Sequence, residues 1–142
     1  MALSHMPQVL NLQLARYMYD QSSGSKQKLM DEVLLPRTLN VPQNKIAKNG
    51  SKKNKSSSIP YILCAVQNHR GKSALSGHYV AEAMDWATGV WFEYDDEKVT
   101  ELEDGPTCSY NSDEKLEKKK GTSDAYNLFY VKQSCLRDSI KN

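Results

Sequence analysis

A histidine and a pair of aspartates are the residues of this chain best suited to proton-transfer chemistry. His78 follows Gly77, and Asp95 and Asp96 come later, at the end of an aromatic segment. A carboxylate that accepts a hydrogen bond from one imidazole nitrogen fixes the tautomer of the ring, and the other nitrogen can then take a proton from a nucleophile. The same spacing also fits a solvent-exposed hairpin with an ordinary histidine and two hydrated carboxylates.

The segment that carries these residues predicts a hairpin that would bring them together. In HYVAEAM-DWATG-VWFEYDD, residues 78–96, two stretches of strand-forming residues flank a stretch of turn residues. If the turn lies near 87–89, His78 is roughly opposite the aspartates on the paired strand. Neighbouring residues of a regular strand point to opposite faces, so only one of Asp95 and Asp96 can then face His78. A glycine just before the histidine leaves room for a substrate to approach.

The remaining segments predict a mainly antiparallel sheet of about six strands, with no amphipathic helix of three turns. Residues 9–20 alternate apolar and polar side chains, which predicts one strand with a buried face. Turn residues follow, and residues 26–36 are predicted as its hairpin partner, ended by a proline. Further along, we predict an extended tail at 38–42, a buried strand at 61–66, a loop at 67–77, a short helical turn within 96–104 and a final strand at 125–132.

Length and composition favour one intracellular domain. The chain has 142 residues, a net charge of +2 and a mean hydropathy of −0.68, which fit a single domain with a modest core. Cys64, Cys108 and Cys135 are unclustered, so neither a zinc site nor a disulfide framework is predicted, and a reducing compartment, cytoplasm or nucleus, fits best. The sequence shows no signal peptide and no apolar run of membrane-span length, so we expect no membrane association.

Two polar segments are predicted as flexible surface insertions. Residues 43–58 are rich in lysine and residues 111–124 are equally polar, so neither can bury enough apolar surface to offset the entropy of ordering it. The lysine-rich segment has the charge to contact RNA or an acidic partner. It lacks the aromatic residues that interleave charges in nucleic-acid-binding segments, so we favour a solvated loop and expect no nucleic-acid partner.

Four segments, in order along the chain, resemble the ubiquitin-specific protease family. SGHYVAEAMDWATGVWFEYDDEKV resembles the histidine box of that family, with its Gly-His-Tyr and its acidic pair before a valine. LNLQLARY, YILCAVQNHRG and DAYNLFYV resemble the family's strands before and after this box. Four ordered motifs are far more specific than a histidine and an acid alone. The segments occupy residues 10–17, 61–71, 76–99 and 124–131.

The resemblance implies a fold and a domain arrangement. The expected fold class is α+β with a predominantly antiparallel sheet, the C-terminal, palm-like part of a papain-like cysteine protease without its N-terminal helical part. Residues 6–132 would form a partial catalytic domain interrupted by the two polar insertions, and residues 133–142 would form a polar tail.

The resemblance also implies a reaction and its residues. The family cuts isopeptide or peptide bonds after the C-terminal glycine of ubiquitin, so ubiquitin and ubiquitinated proteins are the expected partners, and no cofactor or metal is expected. His78 would be the general base, Asp95 the acid that orients it, and Asp96 a second acid near the site. The substrate-binding residues beside the groove for the ubiquitin tail would be His69, Gly71, Ser76 and Gly77. Tyr79, Trp91 and Tyr94 are expected to pack.

The nucleophile is the main departure from the family pattern. The family's cysteine lies in a box, Asn-x-Gly-x-Thr-Cys-x-x-Asn, which should precede residue 1, so we expect this chain alone to be inactive. GPTCSYN, residues 105–111, matches part of that box by letter. It follows the histidine instead of preceding it, and Glu103 stands where the asparagine is expected, so Cys108 is interpreted as a loop thiol. A non-catalytic ubiquitin-binding module or pseudoenzyme fragment is the main alternative, and a basic-loop interaction protein on an unrelated β scaffold is another.

Overall fold

The structure, a computed structural model, describes residues 5–43, 57–106, 109–110 and 121–139, with side chains described as far as Leu136. Most of the two predicted insertions, and Cys108, lie outside these residues. The described residues form strands and one short helix. The elements are β1 Val9–Gln13, β2 Tyr17–Asp20, β3 Ser25–Lys28, β4 Leu35–Pro36, β5 Thr38–Gln43, β6 Ser57–Arg70, β7 His78–Met84, β8 Trp91–Asp95, β9 Lys98–Leu102, β10 Ser109–Tyr110, β11 Ala125–Lys132 and α1 Gln133–Ser139.

One antiparallel sheet of seven strands dominates the described residues. Its order is β1-β11-β6-β7-β8-β9, and β5 also pairs with β6. Strand β6 is 14 residues long and pairs with three other strands. β11 lies along one edge of β6, and β5 and then β7 lie along the other edge. The predicted fold class, mostly antiparallel β with little helix, is confirmed. None of the described helical structure combines the length and apolar character required to span a membrane.

The core lies against the middle of this sheet, where β6 and β11 contribute large apolar side chains. The fully buried tyrosines satisfy their hydroxyl groups, as buried polar groups must. The Tyr61 hydroxyl donates to the Pro7 carbonyl oxygen at 2.6 Å, and the Tyr130 hydroxyl donates to the Pro36 carbonyl oxygen at 2.8 Å. The buried core residues are Leu35, Tyr61, Leu63, Val66, Trp91, Ala125, Leu128 and Tyr130.

The N-terminal part departs from the predicted single strand and its hairpin partner. Residues 9–20 form two strands, because the buried Arg16 interrupts them by donating to the carbonyl oxygens of Ala125 at 2.9 Å and Asp31 at 2.5 Å. Of the two strands, β1 pairs with β11, whereas β2 forms a hairpin with β3. The predicted hairpin partner at 26–36 is therefore wrong beyond Lys28, and the two residues of β4 pair with β10 instead.

Several other predicted boundaries are corrected. Residues 38–43 are a sheet strand, β5, rather than an extended tail, and the predicted loop at 67–77 begins only after Arg70, because β6 continues to pair with β7. The helical turn predicted within 96–104 is wrong, since β9 forms the edge of the sheet there. The first residues of the predicted polar tail form α1. Thr122, placed in an insertion by its composition, exchanges two backbone hydrogen bonds with Val33, at 3.0 and 2.9 Å.

Candidate active site

The hairpin of β7 and β8 brings His78 and Asp95 together. The turn between the strands is closed by Gly89 N donating to the Asp85 carbonyl oxygen at 2.7 Å, and Gly89 takes a φ of 75°, which glycine adopts without steric cost. His78 Nε2 lies 2.5 Å from Asp95 Oδ1. The pairing of Ala81 with Tyr94 places Asp95 opposite residue 80, so the imidazole reaches its partner along the diagonal between the strands.

The charges of this pair fix the tautomer of the imidazole. The hydrogen bond from His78 holds the pKa of Asp95 below its ordinary value, so the carboxylate is ionised and can only accept. Nε2 must therefore carry the proton. The same hydrogen bond raises the pKa of His78, because the carboxylate stabilises the imidazolium. In the part of the chain that the structure describes, Nδ1 has no hydrogen-bond partner, so it is the nitrogen able to accept a proton.

Asp96 approaches the same ring from the turn that follows β8. Its Oδ2 lies 3.9 Å from His78 Nε2, and its side chain is 81% exposed. A regular strand would point Asp96 away from His78. The residue instead has a φ of 52°, a left-handed conformation that aspartate tolerates better than most residues, and the two-residue turn between Asp95 and Lys98 swings it back. Both predicted acids thus lie near His78, but only Asp95 hydrogen-bonds to it.

Arg70 and Glu93 belong to the same polar cluster and were not predicted from the sequence. Arg70 pairs with His78 across β6 and β7, so the two side chains share a face of the sheet. The Arg70 guanidinium lies 2.5 Å from Glu93 Oε2 and 3.6 Å from Asp95 Oδ2. Arg70 stands next to Gly71, a predicted site residue, and this was the one indication of its position in the sequence. Because residues 67–77 were predicted as a loop, its pairing with His78 was not predicted.

His69, predicted beside the substrate groove, has a buried side chain. It is 4% exposed and its ring lies against Tyr79, at 4.8 Å between ring centroids, and Tyr17, at 5.8 Å. Burial, and the neighbouring Lys28, lower the pKa of His69, so the ring is neutral near pH 7. Its Nδ1 has no hydrogen-bond partner among the described residues.

The two predicted glycines face each other at the neck of the 71–77 loop. A Cβ at Gly71 would lie 3.1 Å from Gly77 Cα, and Gly71 has a φ of 139°. A Cβ at Gly77 would overlap the His69 ring, at 2.5 Å from Cε1, and would lie 2.8 Å from the Arg70 carbonyl oxygen. Gly77 is therefore required for packing on His69, and the predicted role in substrate binding stays a prediction. Ser76 is exposed in this loop.

Lys28 anchors the loop from beneath. Its buried ammonium donates to the carbonyl oxygens of His69 at 2.6 Å and Gly71 at 2.7 Å, and it lies 3.1 Å from Asp124 Oδ1. The two carbonyl groups flank Arg70, so the lysine fixes the end of β6 that carries the arginine. No pattern in the sequence indicates this contact, because Lys28 is one of several polar residues in its strand.

The predicted packing residues and the described cysteines have different surroundings. Trp91 is buried, but Tyr79 and Tyr94 are about half exposed, at 49% and 43%, so the expectation that Tyr94 belongs to the core is wrong. Cys64 is buried in β6, where its thiol lies 3.2 Å from the Phe129 carbonyl oxygen, and burial raises its pKa to about 11. A thiol with such a pKa is a poor nucleophile near pH 7. Cys135 lies in α1.

One group of side chains has the spacing of metal ligands. One nitrogen or oxygen atom from each of His78, Asp95 and Asp96 lies within 4.8 Å of the others. A cation there would have to displace the Nε2 proton that His78 donates to Asp95. It would also lie near the Arg70 guanidinium, which repels it. The arrangement favours proton transfer over metal binding.

An ionised acid beside an oriented imidazole, whose second nitrogen has no partner among the described residues, is an arrangement that many hydrolases use for proton transfer. A model of the family described as "Ubiquitin carboxyl-terminal hydrolase" matches residues 1–130. The chain belongs to the ubiquitin carboxyl-terminal hydrolase family and is a member of the ubiquitin-specific protease group that its histidine box resembles.

Relatives with known names support the same conclusion. Ubiquitin carboxyl-terminal hydrolase 48 of Gallus gallus is 38% identical over 101 residues, which are 71% of this chain and 9% of that protein. Ubiquitin carboxyl-terminal hydrolase 26 of Arabidopsis thaliana is 32% identical over 126 residues, 89% of this chain and 11% of that protein. The probable ubiquitin carboxyl-terminal hydrolase 3 of Schizosaccharomyces pombe is 33% identical over 138 residues, 94% of this chain and 26% of that protein.

Solved structures confirm the papain-like ubiquitin-specific protease fold. The SAGA Ubp8/Sgf11/Sus1/Sgf73 DUB module bound to ubiquitin aldehyde contains a chain that matches with a TM-score of 0.64 and 31% identity, over 90% of this chain and 25% of that chain. The same module, in a structure described without ubiquitin aldehyde, matches with a TM-score of 0.58 and 29% identity, over 90% of this chain and 24% of that one. The chain spans about a quarter or less of the proteins it matches.

Proposed function

We propose that this chain supplies the general base and its orienting acid for thiol-dependent hydrolysis of the bond that follows the C-terminal glycine of ubiquitin. The observation that carries the proposal is the 2.5 Å contact between His78 Nε2 and Asp95 Oδ1, which commits one ring nitrogen and leaves Nδ1 for a nucleophile's proton. Membership of the family supports ubiquitin as the substrate, and the matching Ubp8-containing module was solved with ubiquitin aldehyde.

In each half of the proposed reaction, His78 first accepts a proton and then releases it. Nδ1 takes the proton of a cysteine thiol, and the thiolate adds to the carbonyl carbon of ubiquitin's last glycine. The imidazolium then gives that proton to the departing amine, which leaves a thioester. In the second half, Nδ1 takes a proton from water and the hydroxide adds to the thioester carbonyl. The carbon–sulfur bond then breaks, and the imidazolium returns its proton to the departing thiolate, which regenerates the thiol and the neutral ring. Asp95 stays ionised throughout and stabilises the imidazolium each time it forms.

The substrate tail is proposed to lie against the 71–77 loop. This loop leads directly into His78, and most of its residues are exposed. For the proposed reaction, a scissile carbonyl bound along it would have to lie within reach of a thiol that contacts Nδ1. The buried His69 would act through Gly77, by fixing the backbone that leads into His78, and Ser76 would border the groove.

The cysteine in this proposal comes from outside the described residues. Cys64 is excluded by its burial and by its raised pKa, and Cys135 lies in α1 near Tyr61, at the other end of β6 from Arg70. We propose that the nucleophile belongs to the cysteine box typical of the family, outside these 142 residues; the matched relatives are much longer than this chain. Cys108 is the competing candidate.

An electrophile-tipped ubiquitin probe tests the proposal. We expect the probe to label a longer polypeptide that includes an upstream cysteine box, and we expect His78→Ala to reduce labelling by at least about a hundredfold, the lower range for general acid–base catalysis. Labelling of the 142-residue chain alone, abolished by Cys108→Ser, would transfer the nucleophile to Cys108. Ubiquitin binding without labelling of either polypeptide would contradict the catalytic proposal and favour a non-catalytic ubiquitin-binding module.

A further inference from the structure

We propose that Arg70 is a positioning residue for the catalytic pair, because its guanidinium holds Oδ2 of Asp95 and thereby keeps Oδ1 directed at His78. The inference rests on the proposed role of His78 as the general base. It adds a third side chain, from a different strand, to the pair that the family resemblance supplies.

The geometry gives each oxygen of Asp95 a separate partner. Oδ1 lies 2.5 Å from His78 Nε2, and Oδ2 lies 3.6 Å from Arg70 Nη1. A carboxylate on a short side chain can rotate about χ2, which is a broad torsion for aspartate. A cation on the far oxygen opposes that rotation. Asp95 is therefore held from both sides, by His78 and by Arg70.

Glu93 anchors the arginine. Arg70 Nη2 donates to Glu93 Oε2 at 2.5 Å, while Nη1 faces Asp95, so the planar guanidinium bridges two carboxylates two residues apart on β8. Arg70 lies on β6 and reaches across β7, a span of roughly 10 Å between outer strands. A lysine ammonium would carry the charge but has no fixed fork with which to hold both acids.

The effect concerns orientation and proton affinity more than stability. The Arg70 side chain is 44% exposed, and ion pairs at such exposure contribute little to folding stability. Asp95 and Asp96 raise the pKa of His78, whereas the nearby Arg70 cation lowers it. Arg70 thus acts on the imidazole directly and through Asp95. The charged groups facing His78 are Asp95 on β8, Asp96 in the turn and Arg70 on β6; Glu93 pairs with Arg70, and Lys98 on β9 acts on Asp95.

Nitrogen-15 NMR of the full 142-residue chain provides the test, with Lys72→Gln as the matched control. Lys72 is exposed, lies two residues from Arg70, and its replacement removes the same charge without touching Asp95. We expect Arg70→Gln to lower the fraction of the neutral His78 ring that is protonated at Nε2, because Asp95 Oδ2 loses its partner. The pKa of His78 is not the readout, since a weaker Asp95 hydrogen bond lowers it and the loss of the Arg70 cation raises it. Lys72→Gln should have a smaller effect on the tautomer, whereas Arg70→Lys should also lower the Nε2-protonated fraction.

The outcomes separate this inference from the proposed function. Equal effects of Arg70→Gln and Lys72→Gln would overturn the positioning role. If Arg70→Gln does not fold, an unchanged tautomer in Arg70→Lys would overturn it instead. None of these readouts uses ubiquitin, so failure of probe labelling would count against the proposed function and not against the contact between Arg70 and Asp95.

Discussion

Replacement of Asp95 by asparagine should have a larger effect than the loss of one charge suggests. The two carboxylate oxygens face two donors, His78 Nε2 and the Arg70 guanidinium. An asparagine has one acceptor oxygen and one amide nitrogen, and the nitrogen cannot accept. If the amide nitrogen faces His78, Nε2 must accept and the ring proton moves to Nδ1, which can then no longer take a proton from a thiol. If the amide nitrogen faces Arg70, two hydrogen-bond donors point at each other, which is unfavourable.

The structure sets the expected size and a rescue. A wrong tautomer costs about 10⁴-fold in a serine-protease triad. Here both amide orientations compete and Asp96 lies near, so we expect Asp95→Asn to reduce probe labelling about a hundredfold, toward the lower range for general acid–base catalysis. Adding Arg70→Gln removes the donor that opposes the useful orientation. The double variant should therefore label at least about tenfold faster than Asp95→Asn alone, although Arg70→Gln slows the parent protein.

Two measurements check this reasoning. Probe labelling of the longer polypeptide that carries the nucleophile gives the rates, and nitrogen-15 shifts of His78 in the 142-residue chain give the tautomer. The pKa of His78 should also fall in Asp95→Asn, because the carboxylate hydrogen bond that raises it is lost. A variant that keeps the parent tautomer and rate, or a double variant no faster than Asp95→Asn, would refute the idea that the two oxygens have separate partners.

Three further predictions concern stability and its pH dependence. Gly77→Ala should destabilise the chain by about 1–3 kcal/mol in urea unfolding, because the new Cβ meets the His69 ring, and His69→Ala in the same chain should recover part of the loss; equal stabilities would contradict this packing. Lys28→Met should lower the free energy of unfolding by about 3 kcal/mol, because a carboxylate and two carbonyl groups lose their donor. Lys26→Met, at an exposed position, is the control and should lower it little. Similar losses of stability in both variants would exclude an anchoring role for Lys28. Because the pKa of His69 is lowered in the folded state, the unfolded state is protonated first as pH falls, and His69 should reduce the free energy of unfolding as pH drops through about 6.5. His78, whose pKa is raised, contributes with the opposite sign. His69→Gln should therefore make the loss of stability at low pH smaller, and an unchanged pH profile would refute a buried neutral His69.

The contact between His78 and Asp95 was predictable from the sequence, for a simple physical reason. A two-stranded hairpin with a short turn has few possible registers, so the spacing of His78 and Asp95 nearly determines their contact. Strand β11 was also predicted with the bounds that the structure shows, because AYNLFYVK is rich in strand-forming residues between polar neighbours. The closeness of Asp96 was harder to predict, since it depends on one left-handed residue in a turn.

Contacts between distant segments were not predictable from local patterns. Nothing near Arg16 indicates that it binds a carbonyl group about a hundred residues away, and nothing near Lys28 indicates that it binds one about forty residues away. The local alternation of apolar and polar residues instead favoured pairing residues 9–20 with the next segment. The continuation of β6 to Arg70 was missed because Gln67, Asn68 and Arg70 are polar. Asn68 is nevertheless buried, where it donates to Glu82 Oε1 at 3.1 Å. A polar residue can extend a buried strand when a partner side chain satisfies it.

The length of β6 has a consequence for the order in which parts of the sheet open. β11 holds residues 61–68 of β6 from one side, while β7 holds only residues 65–70 from the other. The β7–β8–β9 meander can therefore separate from the end of β6 while the β1–β11–β6 unit keeps its ladder. Amide protons of β6 that point toward β11 should outlast those of β8 and β9 in deuterated solvent. His78 thus lies on the part of the sheet that we expect to exchange sooner, next to the part that we expect to exchange slowly.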